Sequence, residues 1–268
     1  MVTILNGPMG TELIARGVSI AEPLWSARAI EVAPEVIAAI HREYAEAGAT
    51  VHTTNTFRTK RRSAGEHWEK LARKAVEIAR LSVPQGHRLA GCIAPLEDCY
   101  RPDLSPPDPR EEHREVCRVL ADAGVDVILC ETFPHVGEAL IATEEAVATG
   151  LPTWVAFTAG PEAELLTPDE VETGAREAAD RGASVVMINC TRATKTLPYV
   201  ERLARVGIAF GVYANAGRVE DGFGWTNDPQ GPERYARLAE EWVRLGATFV
   251  GACCGLGPVH VRALQRFA

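Results

Sequence analysis

Short runs of apolar and β-branched residues alternate with longer amphipathic stretches from one end of the chain to the other. The runs VTILN, ATVHTTN, RLAGCIA, VDVILCE, TWVAFT, SVVMINC, IAFGVYAN and ATFVGACC predict eight strands. Between and after them, helical patterns fall near 34–47, 66–82, 110–123, 136–149, 168–181, 193–205, 230–245 and 257–267, several opened by Pro or by an acidic first turn. Strictly alternating strands and helices predict a parallel sheet, and eight such units predict a closed (β/α)8 TIM barrel.

An internal echo supports repeated units. The segments EAGAT, DAGVD, DRGAS and RLGAT precede the second, fourth, sixth and eighth strands, each with a glycine where a helix would end in a left-handed turn. No linker or shift in composition divides the chain. The proline-rich stretch at 101–110 falls inside the third βα loop, so residues 1–268 are expected to form one domain. The length is ordinary for one such barrel.

Barrels of this kind build their active sites at the C-terminal ends of the strands. Those ends read Asn6-Gly7, Thr54-Asn55-Thr56, Glu131-Thr132, Asn189-Cys190, Asn215-Ala216-Gly217 and Cys253-Cys254. Any one of them alone reads as a turn residue or cap. As a set of polar and thiol side chains gathered on one face, they are candidates for substrate and metal binding.

The cysteines carry the sharpest chemistry. Successive strand residues face opposite ways, so Cys253 and Cys254 reach one ion only if the strand has begun to turn, which Gly255 and Gly257 permit. With Cys190 they would fill three corners of a tetrahedron and leave the fourth open, the arrangement of a catalytic zinc. On spacing alone, inert core thiols or a vicinal disulfide outweigh a metal site, because a lone CC lacks the paired CxxC regularity of specific metal spacing. Cys92 and Cys130 read as core thiols and Cys117 as helix packing. His41, His113 and His260 fall in helical segments as surface or interhelical residues. No HExxH, GxGxxG or GxxxxGK[ST] pattern is present.

Charge and composition narrow the partners. A net charge of −8, with acidic and basic residues mixed along the chain, offers no footprint for nucleic acid or an anionic membrane. No signal-peptide pattern opens the chain and no stretch approaches a membrane span. Seven cysteines without framework spacing fit a reducing compartment, so a soluble cytoplasmic protein is expected.

Taken in order, NGPMGTEL, TTNTF, ILCETF, INC, YANAG and GACCG resemble the homocysteine S-methyltransferase family across essentially the whole chain. The resemblance implies a (β/α)8 barrel holding Zn2+ through Cys190, Cys253 and Cys254, which carry the catalysis. It also implies that Glu131 and the residue at position 6 hold the substrate amino group. EPLWSA at 22–27 is most similar to the single-domain members that use S-methylmethionine or S-adenosylmethionine, and a chain ending at Ala268 leaves no room for folate or cobalamin modules. The expected reaction moves a methyl group from a sulfonium donor to L-homocysteine, giving methionine. The expected substrate contacts are Asn6, Asn55, Glu131 and Asn189, with Trp25 or Tyr213 against the cation. Three departures stand out: Asn6 replaces the family's aspartate, GACC replaces GGCC, and the third βα loop lacks the usual glycine-rich pattern. They leave open another thiol or selenol as acceptor, and a zinc store or sensor is the alternative outside catalysis. The oligomeric state stays open.

Overall fold

The computed structural model describes residues 1–226 and 228–268. Its eight strands are β1 (Thr3–Ile4), β2 (Val51–Thr53), β3 (Arg88–Ile93), β4 (Val127–Phe133), β5 (Thr153–Phe157), β6 (Val185–Arg192), β7 (Ala209–Asn215) and β8 (Phe249–Val250). All neighbours are parallel and the order runs β1-β8-β7-β6-β5-β4-β3-β2. A parallel bridge between Leu5 and Val51 joins the first strand to the second and closes the barrel. The helices are α1 (Met9–Ala15), α2 (Ala29–Val32), α3 (Pro34–Glu46), α4 (Arg61–Ala64), α5 (Trp68–Ser82), α6 (Arg110–Asp122), α7 (Val136–Val147), α8 (Pro168–Asp180), α9 (Leu197–Leu203), α10 (Gly231–Arg244) and α11 (Pro258–Leu264).

Every predicted strand and each of the eight predicted helices is present. The short α1, α2 and α4, in the loops after β1 and β2, escape a reading tuned to long amphipathic periods. The echoed glycines end their helices in left-handed geometry, with φ of +101° at Gly48, +84° at Gly124, +103° at Gly182 and +104° at Gly246. No helix among the described residues is long and apolar enough to cross a membrane.

The alternation of each strand separates two cores. Leu5, Val51, Ala90, Val127, Leu129, Trp154, Ala156, Val185, Met187, Tyr213 and Phe249 fill the barrel, with Trp154 and Phe249 packed edge to face at 4.9 Å. Gly211 makes that packing possible, since a Cβ there would lie 2.6 Å from Phe249 Cβ and 2.8 Å from its carbonyl oxygen. The opposite faces of the strands join the helices in the larger outer core.

His41, His113 and His260 are buried in that outer layer, which corrects the surface alternative for all three. His52 of β2 points the same way, lying edge-on to His41 at 6.1 Å and stacked on His87, whose Nδ1 is 3.1 Å from His52 Nε2. Both ring nitrogens of His41 are buried without a partner. Burial therefore pushes His41 down to about 4, and burial together with the neighbouring imidazoles pushes His52 down to about 3. A depressed histidine takes its proton first in the unfolded chain. Stability is whole above about pH 6.5 and drains away as the pH falls toward 4, by up to about 3 kcal/mol for His41. Thermal unfolding between pH 7 and 4.5 should show the midpoint falling, with a smaller slope in His41→Leu. Equal slopes would show that other groups govern the acid limb.

Candidate active site

Cys190, Cys253 and Cys254 bring their sulfurs within 4.8 Å of one another at the C-terminal mouth of the barrel. The Sγ atoms of Cys190 and Cys254 are 3.7 Å apart, matching the edge of about 3.8 Å for a tetrahedron with metal–sulfur bonds of about 2.3 Å. Two local devices aim them. The register of β6 against β7 shifts between Asn189 and Arg192, a bulge that re-aims Cys190 at φ +47° while Asn215 Nδ2 donates to its carbonyl at 2.7 Å. After β8 the chain turns at Gly255, φ +82°, where a Cβ would lie 2.7 Å from Ala216 Cβ, so Cys254 swings to the side of its neighbour. Thr11 Oγ1 accepts from the Gly255 N–H at 3.2 Å and steadies that turn.

Three thiols this close do not ionise independently. Hydrogen bonds from Cys253 and Cys254, with a further one from Tyr100, hold Cys190 well below the usual thiol range, while donating to Cys190 raises the other two. Charge on one sulfur therefore holds the proton on its neighbours. The Tyr100 hydroxyl stands 3.1 Å from Cys190 Sγ.

Glu131 occupies the top of the barrel interior in a second bulge, where the β4–β5 register shifts between Cys130 and Phe133. The Cys92 thiol donates to its Oε1 at 2.8 Å and the Tyr213 hydroxyl to its Oε2 at 3.0 Å. Burial outweighs these two bonds and pushes Glu131 up to about 7. Its neighbour Thr132 has φ +64° and is clamped by Asn189, whose Oδ1 accepts the Thr132 N–H at 3.1 Å and whose Nδ2 donates to Thr132 Oγ1 at 2.8 Å. Cys92 is thus a core thiol with a polar task.

Glu131 and the three cysteines open onto one cavity of about 340 Å³ that also takes in Asn6, Asn55, Trp25 and Tyr213. Asn189 does not line it; its side chain is spent on Thr132. Asn55 donates to Ser26 O at 2.9 Å and fixes the first loop. Asn6 Oδ1 accepts the Thr53 N–H at 3.1 Å, which leaves its amide nitrogen for the cavity. Trp25 sits at φ +45°, edge to face with Phe57 at 6.0 Å.

Sequence reasoning passed over Asp98, Cys99 and Tyr100, in a proline-flanked loop without regular periodicity. That loop is fastened by Glu138 of α7, which accepts from Leu96 N at 2.7 Å and Ser105 Oγ at 2.6 Å and lies 3.1 Å from His113 Nε2. Burial alone would raise Glu138, but the bonds from His113, Ser105 and Leu96 prevail and hold it below the usual carboxylate range.

The family model for homocysteine S-methyltransferase matches residues 3–268. The chain belongs to that family. The methyltransferase is 30% identical to the homocysteine S-methyltransferase of Escherichia coli, over 98% of this chain and 94% of that one. It is 26% identical to a selenocysteine methyltransferase of Astragalus bisulcatus, over 98% and 91%. The oxidized form of the Escherichia coli homocysteine methyltransferase MmuM superposes with a TM-score of 0.83 at 25% identity, covering 100% of this chain and 96% of that one. Its metallated form has the same fold, with a TM-score of 0.82 at 24% identity and the same coverage.

The donor set of the methyltransferase suits a thiophilic dication. Such an ion offsets the repulsion among the three sulfurs, so binding should drive protons out. Titrating Zn2+ into metal-free protein at pH 7, in buffers of different ionisation enthalpy, should show protons released as the ion binds. Release near zero would mean that the thiols are already ionised or are not the ligands.

Proposed function

We propose that the methyltransferase holds one zinc ion through Cys190, Cys253 and Cys254 and moves a methyl group from a sulfonium donor to L-homocysteine, giving methionine. The observation that carries this reading is one cavity joining a three-sulfur face to the half-buried carboxylate of Glu131 at the top of the barrel interior. When bound, zinc supplies the positive charge that strips the proton from the acceptor thiol. Glu131 accepts the acceptor's ammonium group, held in place by Cys92 and Tyr213. The acceptor sulfur then forms a bond to the methyl carbon as the donor's S–CH3 bond breaks, and the bonding pair leaves on the donor sulfur, which becomes a neutral thioether. No base is needed at this step because the proton left on binding. The chain's work is alignment and exclusion of water.

A sulfonium donor expels a neutral thioether, a better leaving group than a tertiary amine, and the cavity lining supports a cationic donor, with Trp25, Phe57 and Tyr100 beside the acidic Glu22, Asp98 and Glu131. A different thiol or selenol acceptor is the second reading, favoured by Asn6, an uncharged amide whose side-chain oxygen already accepts the Thr53 N–H. A zinc store would have no use for Glu131. All seven cysteines are unpaired, which supports work in the reducing cytoplasm.

Three measurements test this reading. Enzyme loaded with zinc and homocysteine should make methionine from S-methylmethionine or S-adenosylmethionine. Turnover with betaine or methylcobalamin alone would overturn the donor, and none with any donor would point to another acceptor. Cys254→Ser should lose the metal, since two thiolates cannot complete the site; stoichiometric zinc in that variant would sink the assignment.

The third is a pH dependence. Methionine carries the ammonium without a titrating thiol, and only ionised Glu131 can bind it, so its inhibition constant should fall as the pH rises through about 7. Glu131→Gln should abolish that dependence and weaken binding by about 1.5–3 kcal/mol with metal retained. An unchanged profile in the variant would make Glu131 structural.

A further inference from the structure

The cavity wall includes one basic side chain among its described residues, Arg58, in the loop after β2. Its side chain is only 16% exposed, and its Nε is buried with no partner. The guanidinium meets one carboxylate, Glu22, at 3.5 Å through a single Nη2 contact, and Glu22 is itself 67% exposed. Arg192, also near the mouth, shows what a satisfied fork looks like here, with both Asp221 oxygens at 2.6–2.7 Å and Glu162 at 2.8 Å. Arg58 therefore lines the cavity with its Nε unmatched and its fork held by one Nη2 contact. Such a fork matches the two oxygens of a carboxylate.

The acceptor does not need this group in the same way. Its sulfur and ammonium are taken by the cysteines and by Glu131 in the barrel interior. A donor must reach that sulfur from the solvent side, over the bound acceptor, so its head group projects toward the rim loops that follow β1 and β2. There Arg58 stands with Glu22, Trp25 and Phe57, and Asp98 reaches the same cavity from the loop after β3. The guanidinium carbon lies 5.9 Å from the centre of the Phe57 ring, whose edge-to-face partner is Trp25. One Asp98 oxygen accepts the Tyr100 N–H at 2.8 Å, and the other is not needed for that turn. A cation, an acid pair and an aromatic pair on one rim complement a molecule bearing a carboxylate, an ammonium and a sulfonium.

We propose that Arg58 anchors the carboxylate of the methyl donor and that the rim of loops one and two is the donor subsite, selecting an amino-acid sulfonium. The assignment rests on the sulfonium reading above. In the bound state the donor's carboxylate displaces Glu22 from the fork and satisfies the orphaned Nε side of the guanidinium.

The test compares S-methylmethionine with its carboxyl methyl ester, which keeps the sulfonium and ammonium but loses the negative charge. Wild-type enzyme should prefer the acid by about 10- to 100-fold in kcat/KM, the range for a charged hydrogen-bonded pair. Arg58→Gln should lose that preference by raising the KM of the acid, leaving the ester's kinetics and the homocysteine KM as they were. Arg58→Lys should recover part of it, because a single ammonium keeps the charge without the fork. Retained zinc content and an unchanged melting temperature exclude misfolding, and the lysine variant serves if the glutamine variant does not fold. Equal acid-over-ester preference in wild type and variants, or a rise in the homocysteine KM, overturns the assignment while the sulfonium reading survives. No turnover of either sulfonium by wild type overturns that reading and this one with it.

Discussion

Three sulfur atoms held within 4.8 Å cannot all carry charge unless something positive stands among them, and the architecture of the mouth follows from that constraint. Without a countercharge, one thiol ionises at the expense of the other two. The same crowding that makes the metal-free cluster electrostatically unfavourable is what makes it a strong ligand set for a dication. Glu131, in the same cavity, feels the Cys190 sulfur as well as its own burial, and both raise it. Negative charge is therefore scarce in the free site and becomes plentiful only when positively charged partners arrive.

Regular strands could not deliver these side chains. Alternation places Tyr213, Cys92 and Glu131 in one interior layer, as the barrel cores below them predict, but it would turn Cys190 outward and separate Cys253 from Cys254. Two bulges, at Glu131-Thr132 and at Cys190-Thr191, and one glycine turn at Gly255 break the alternation at the level of the mouth. Cys190 and Thr132 sit at positive φ, a conformation that costs non-glycine residues on the order of 1 kcal/mol or more. Asn189 and Asn215 offset that cost by binding the backbone of Thr132 and Cys190. The asparagines at the strand ends serve the site by holding the chain in shape around it.

The fold was legible because its signal is long-range and repeated. Eight apolar runs, eight amphipathic stretches and the glycines at 48, 124, 182 and 246 each say the same thing. The cysteine cluster was legible for a different reason, since a CC pair at one strand end and an NC at another are few-residue signals with chemistry of their own. What the pattern could not carry was direction. Nothing in the letters distinguishes Asn55 and Asn6, which line the cavity, from Asn189, which turns away from it. Tyr100, Cys99 and Asp98 lie in a loop with no period to read, and Arg58 looks like any surface arginine until its unsatisfied nitrogen is seen.

The fastening of residues 96–105 has an evolutionary reading. Both ends of the segment close on one carboxylate, Glu138, which belongs to α7, beyond α6 and β4 along the chain, and takes no part in the cavity. The middle of the segment, which brings Asp98, Cys99 and Tyr100 to the cavity, is thus distinct from its fixings. Such a segment behaves as a cassette: its interior can drift or be exchanged among descendants of one barrel while Leu96, Ser105 and Glu138 stay put. Only Tyr100 ties that interior to the sulfur cluster, through its hydroxyl on Cys190, so variation that spares Tyr100 leaves the cluster as it is.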